Sequence, residues 1–123
     1  MRTIIAGSRS ITDFHQVRVA IEFSGIKITE VISGCARGVD TLGEQWAITA
    51  DVPIKRFPAD WGKLGKSAGY LRNQQMADYA DALIAVHDGV SRGTADMIRR
   101  AKKRGLVVYV STPEPEIFPA PLL

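Results

Sequence analysis

The sequence predicts an α/β protein: a single Rossmann-like, three-layer domain with a parallel five-stranded sheet in the order 3-2-1-4-5. Three observations predict it. Short apolar runs alternate with helix-period segments from Thr3 to Val110, the pattern of a parallel sheet covered by helices through right-handed crossovers. The runs are almost continuously apolar, as strands buried on both faces are. Three of them end in a glycine turn that leads into a helix, and ligands in such sheets lie beyond the C-terminal strand ends where the strand order reverses.

Each element has its own signal. Thr3-Ile4-Ile5-Ala6 is the first strand, stopped by Gly7-Ser8-Arg9-Ser10. Thr12 or Asp13 caps a helix whose apolar positions, Phe14, Val17, Ala20 and Ile21, follow the helical period, and Ser24-Gly25 closes it. Ile28 to Ser33 is the second strand, followed by Gly34-Cys35-Ala36-Arg37-Gly38 and a helix with Val39, Leu42, Trp46, Ala47 and Ala50 on one face. Pro53 to Phe57 is a third strand, and its leading proline and alternation put it at an edge. Asp60 to Ser67 reads as a polar loop, Ala68 to Ala80 as a third helix and Ala82 to Val86 as a fully buried strand. The turn Asp88-Gly89-Val90-Ser91-Arg92-Gly93-Thr94 leads into a fourth helix over 95–104, and Leu106 to Val110 is the last strand.

The length of 123 residues suits one domain, here residues 1–110. The tail, 111–123, carries prolines at 113, 115, 119 and 121, and reads as an extended strap or a contact with another subunit. No apolar run approaches the roughly 18–20 residues of a membrane helix, and the first strand leaves no room for a leader peptide. One cysteine excludes an internal disulfide, so the cytoplasm is the expected compartment. A formal charge of +3 suits an anionic small ligand and allows nucleic acid without demanding it.

The candidate chemistry lies in the turns. Unpaired N–H groups and the positive end of the dipole make a helix N-terminus an anion site. Gly7, Ser8 and Arg9 supply amides, a hydroxyl and a guanidinium, and arginine meets phosphate through two parallel hydrogen bonds. Ser33, Gly34, Arg37 and Gly38 repeat the theme, the glycines allowing close approach of a ligand. Asp88, Gly89, Ser91, Arg92, Gly93 and Thr94 form the third turn. In a 3-2-1-4-5 sheet these turns would face one another, so the three arginines are expected to converge on one phosphate-bearing ligand. Asp40, in the first turn of its helix, either satisfies amides or accepts from a ribose or base. Trp61 either stacks on a base or lids its loop, and Lys66 either pairs with phosphate or is solvated. Arg72 and Asn73 would be costly on a sheet-facing helix side unless they point at a site. Cys35 reads as a space-filling residue without a histidine partner, and neither His15 nor His87 completes a triad. No cluster has metal-ligand spacing, so neither a metal nor another cofactor is expected. Arg99, Arg100, Lys102, Lys103 and Arg104 suit the negative end of a helix dipole and a solvated face.

These residues resemble a known superfamily. Ser33-Gly34-Cys35-Ala36-Arg37-Gly38-Val39-Asp40 is similar to the SGGARGID signature of DprA/Smf proteins. Arg72-Asn73 with Met76, the run Ala80 to Ala85 and the glycine–threonine loop resemble the LOG proteins. Together they identify the SLOG superfamily, and within it the small stand-alone YspA-like, YpsA-related branch, whose GSR, SGGARGVD, W-x-x-x-G-x-x-AG-x-x-RN and DGxSxGT blocks all occur here, with Cys35 in place of a glycine.

The resemblance implies a nucleotide-type ligand, such as an ADP-ribose- or NAD-related molecule, held by a sensor or sequestering protein. It also implies two alternatives. LOG enzymes hydrolyse the N-glycosidic bond of nucleoside monophosphates with an arginine, matched by Arg72, and the glutamate of a PGGxGTxxE motif. Counted from Gly93-Thr94, that glutamate falls on Met97, and the neighbouring Asp96 is rotated by about 100°, so catalysis would fall to Arg72, Asp88 or Asp40. DprA-type members bind single-stranded DNA, for which the sequence offers mild basic charge alone. Homo-oligomers are common in the superfamily.

Overall fold

The computed structural model describes residues 1–113 of the chain; most of the proline-rich tail lies outside the described residues. The elements run β1 (Arg2–Gly7), α1 (Phe14–Ser24), β2 (Glu30–Ser33), α2 (Val39–Thr49), β3 (Ile54–Arg56), α3 (Trp61–Leu64), α4 (Ala68–Tyr79), β4 (Ala82–Val86), α5 (Arg92–Lys103) and β5 (Val107–Ser111). All five strands are parallel, in the order β3-β2-β1-β4-β5, as the sequence predicts.

Strand alternation sorts the core into two layers. Ile5 of β1 and Ile84 and Val86 of β4 face one way and pack with Val17, Ala20 and Ile21 of α1 and Val39, Leu42 and Ala47 of α2. Ile4 and Ala6 with Leu83 and Ala85 face the other way, against Met76 and Ala77 of α4 and Met97 and Ala101 of α5. Period-two strands thus feed both faces, and each fully buried isoleucine, such as Ile4, Ile5 or Ile84, contributes about 2 kcal/mol by leaving water. The edges differ from the centre: Lys55 and Arg56 of β3 are exposed, and so are Val107 and Val110 of β5.

Caps fix the helix ends. Asp13 accepts from the His15 amide at 2.9 Å to start α1, and Gly25, in the left-handed region at φ 67°, ends it. Strands other than β4 differ from the sequence reading by one or two residues at their ends, and two helical segments depart from it near the crevice. The expected polar loop over 60–67 is largely helical: Asp60 accepts from the Lys63 amide at 3.1 Å and starts α3, which passes through a 3-10 turn over Gly65–Ser67 into α4. The last helix begins at Arg92, capped by Ser91, whose hydroxyl accepts from the Thr94 amide at 3.3 Å. Arg92, Gly93 and Thr94 are therefore its first turn, not a preceding loop. Among the described residues no helix is long and apolar enough to cross a membrane.

Candidate functional site

Because β1 and β4 are neighbours whose connections leave on opposite sides, a crevice opens beyond their C-terminal ends. Five polar contacts tie its rim together. The Ser8 hydroxyl, fully buried, accepts from the Asp88 amide at 2.9 Å, and the Ser10 hydroxyl donates to the Asp88 carboxylate at 3.1 Å, joining the β1 and β4 turns. Arg72 donates through Nη1 to the Gly34 carbonyl, joining α4 to the β2 turn. Asn73 donates through Nδ2 to the Gly93 carbonyl at 3.2 Å and to Asp96 at 3.0 Å, joining α4 to α5.

The crevice holds a cavity of about 480 Å³. Its walls include Gly7 and Arg9 from the β1 turn, Asp40 from α2, Trp61 and Lys66 from the connection after β3, Arg72 and Asn73 from α4, and Asp88, Ser91, Gly93 and Thr94 from the β4 turn and α5. Met76 and Met97, each almost completely buried, contribute its apolar surface. Position 97, where the resemblance places a catalytic glutamate, is thus on the cavity wall and bears a thioether. Asp96 has turned away: it is 3% exposed and bound by Asn73, Arg99 and Arg100.

The other sequence candidates stand outside the wall, and each has a physical reason. Arg37 is exposed and absent from the cavity, and Arg92 opens onto a neighbouring recess. Of the three turn arginines only Arg9 lines the cavity, where Arg72 joins it, while Arg37 and Arg92 are not among its wall residues. Ser33 is fully buried, donating to Glu44 at 2.6 Å and accepting from the Cys35 amide at 3.1 Å, so it braces the β2 turn. Gly34 and Gly38 are closely packed against protein atoms. A β-carbon at Gly34 would sit 2.7 Å from Arg72 Nη1 and 2.8 Å from Asp40 Oδ2; one at Gly38, where φ is 74°, would sit 2.5 Å from the Ser8 carbonyl oxygen. Gly89 supplies a positive φ of 92° to the turn and faces open space.

The two wall carboxylates have opposite electrostatics. Asp88 accepts from the Val90 and Ser91 amides at 2.9 and 2.8 Å, which with the Ser10 and Ser8 hydroxyls hold its pKa down to about 2. Its lone pairs are committed to shaping the turn, which makes it a weak base. Asp40 is 5% exposed; burial pushes its pKa up, opposed by the Ala36 amide and the Arg72 charge. Its contact with Ala36 satisfies its own loop, and α2 has no side-chain cap. Burial also weighs against the Arg72 charge, and Asp40 supports it. Desolvation and then the Glu44 charge push the Cys35 thiol up, the reverse of nucleophile activation.

Trp61 is 50% exposed, lines the cavity and covers Gly69, where an added β-carbon would lie 3.1 Å from the indole. Gly69 and Tyr70 also line the cavity and were missed in the sequence; the helix-start dipeptide AG before Tyr70 was the available signal. Among the described residues no group of three or more histidine, cysteine, aspartate or glutamate side chains could hold a metal ion.

Fold and crevice define a doubly wound α/β protein with a cavity of mixed polar and apolar lining at the topological switch point. The family model described as YspA, cpYpsA-related SLOG family matches residues 1–63, half of the chain, and the chain belongs to that family. The Gene 61 protein of Mycobacterium phage D29 is 38% identical over 84 residues, covering 63% of this chain and 67% of that protein. No solved structure matches the chain.

Proposed function

We propose that the switch-point cavity binds a nucleotide or nucleotide-derived ligand with a phosphorylated ribose, and that the protein acts as a sensor or sequestering protein. The observation that carries the reading is the composition of one wall. The first turn of α5 presents Gly93, beside which nothing lies within 4 Å of where a side chain would begin. An anion can therefore reach the positive end of the helix. Arg9 and Lys66 add charge, and the exposed indole of Trp61 offers a face for a base. Family membership supports a nucleotide-related role.

Binding without turnover is favoured by Met97: a thioether on the wall can neither take a proton nor stabilise a developing cation as a carboxylate would. A hydrolase reading survives through Asp40, whose buried carboxyl and raised pKa suit a general acid opposite Arg72. Single-stranded DNA binding has no comparable feature in the cavity. Mass spectrometry of ligand released from purified protein tests the first reading. A phosphorylated nucleoside recovered intact after incubation with fresh protein supports it; conversion to free base and ribose phosphate supports the hydrolase.

A further inference from the structure

Arg92 marks a second feature, a recess of about 410 Å³ between α4 and α5, walled by Tyr70, Arg92, Ala95, Asp96, Arg99 and Arg100. Tyr70 also lines the main cavity, so the two spaces share one side chain as a partition. The sequence suggests that Arg99 and Arg100 are solvated charges near the end of a helix. The structure gives them an organising centre. Asp96, its side chain 4% exposed, accepts from Arg99 Nη2 at 2.5 Å and from Arg100 Nε at 2.8 Å. Arg100 Nη1 is further held by Gln74 at 2.9 Å, and Asn73 holds Asp96 itself at 3.0 Å.

One buried carboxylate thus orients two guanidinium groups and offsets one of three positive charges. Arg92 makes no side-chain hydrogen bond or ion pair among the described residues, and it sits in the first turn of α5, where the dipole adds positive potential. The recess is therefore net positive and supplied with N–H groups, two of its three guanidinium groups are held by Asp96, and Tyr70 brings a hydroxyl. Guanidinium forks match the oxygens of a phosphate.

We propose that this recess is a second phosphate subsite, which takes a further phosphate of the ligand whose body occupies the main cavity. The preferred ligand is then a nucleotide with at least two phosphate groups. The assignment of the body rests on the function proposed above; that of the recess rests on its own residues.

The test uses the full chain labelled with nitrogen-15 and follows the arginine Nε–H resonances during titration with inorganic pyrophosphate, with sodium chloride at matched ionic strength as control. Saturable shifts at Arg92 and Arg99 are expected with pyrophosphate only; equal, non-saturating shifts with both salts mean solvated arginines and overturn the proposal. Calorimetry then compares adenosine 5′-monophosphate with adenosine 5′-diphosphate and adenosine 3′,5′-bisphosphate. In the double variant Arg92→Ala/Arg99→Ala, at least one two-phosphate nucleotide should lose tenfold more affinity than the monophosphate. The single variant Arg92→Ala, which leaves the Asp96 network intact, should show the same preference in weaker form. Equal losses for all three nucleotides, or none, overturn the shared-ligand assignment. Pyrophosphate saturation with no nucleotide binding would uphold the recess as a phosphate site and sink the function proposed for the cavity.

Discussion

Replacing Cys35 with glycine should stabilise the protein. Cys35 has φ 63°, in the left-handed region that a side chain with a β-carbon enters at a cost of about 1–2 kcal/mol. Its thiol returns little, since its contact with the Ser33 carbonyl is a weak 3.9 Å. Glycine removes the steric cost but adds about 0.5–1 kcal/mol of unfolded-state entropy, leaving a net gain of about 0.5–1 kcal/mol. For a chain of this size that is a rise of roughly 2–4 °C in Tm. Urea denaturation should move the midpoint upward with an unchanged slope. Cys35→Ala is the control: it keeps the β-carbon and should gain nothing. Asp51, at φ 55°, is the other non-glycine residue with positive φ among the described residues; aspartate tolerates the region better, so Asp51→Gly should gain less. A lower midpoint for Cys35→Gly, or equal gains for glycine and alanine, would refute the reasoning.

Gly38→Ala should destabilise by more than about 2 kcal/mol, because φ is 74° and the added carbon meets the backbone of Ser8 and Arg9, which cannot swing away; a denaturation midpoint within error of the parent would contradict this. Asn73→Ala should cost about 2 kcal/mol by stripping the Gly93 carbonyl and buried Asp96 of a donor, visible as faster amide exchange in the first turn of α5. Asp88 has its pKa lowered to about 2 from 3.8, so its contribution is complete above pH 3.8 and is lost as pH falls towards 2. Asp88→Asn keeps an oxygen for the Val90 and Ser91 amides but cannot titrate, so the drop in urea midpoint between pH 5 and pH 2.5 should shrink; an undiminished drop would exclude Asp88 as a source of that pH dependence.

The strand order, the buried faces of the first two helices and most helix limits were legible because hydrophobic period and glycine turns are local signals. Val17, Ala20 and Ile21 declare the buried face of α1, and Ala82 to Val86 can only be a central strand. What escaped depends on partners distant in sequence. Gly34 and Gly38 looked like openings for a ligand, yet they make room for Arg72 and for the Ser8–Arg9 backbone, contacts that no local pattern reveals. The helical rotation already set Asp96 aside as a substitute for the glutamate, but its partners Asn73, Arg99 and Arg100 lie on another helix or a turn away and left no local signal. The helical connection over 61–67 was hidden by Gly62 and Gly65, whose low helix propensity is overridden by the Asp60 cap.

The proposed occupant of the switch-point cavity is a phosphate-bearing nucleotide. Backbone amide mapping during titration with adenosine 5′-monophosphate and ADP-ribose tests it most directly, in the parent and in Arg9→Ala and Arg37→Ala. A nucleotide bound there predicts saturable shifts at Gly7, Gly69 and Gly93 and at the Trp61 indole N–H, with affinity reduced about tenfold by Arg9→Ala, or roughly 1.4 kcal/mol, and little changed by Arg37→Ala. Shifts absent from the cavity wall, or gathered instead along Arg99 to Lys103 with a steep dependence on salt, would contradict it.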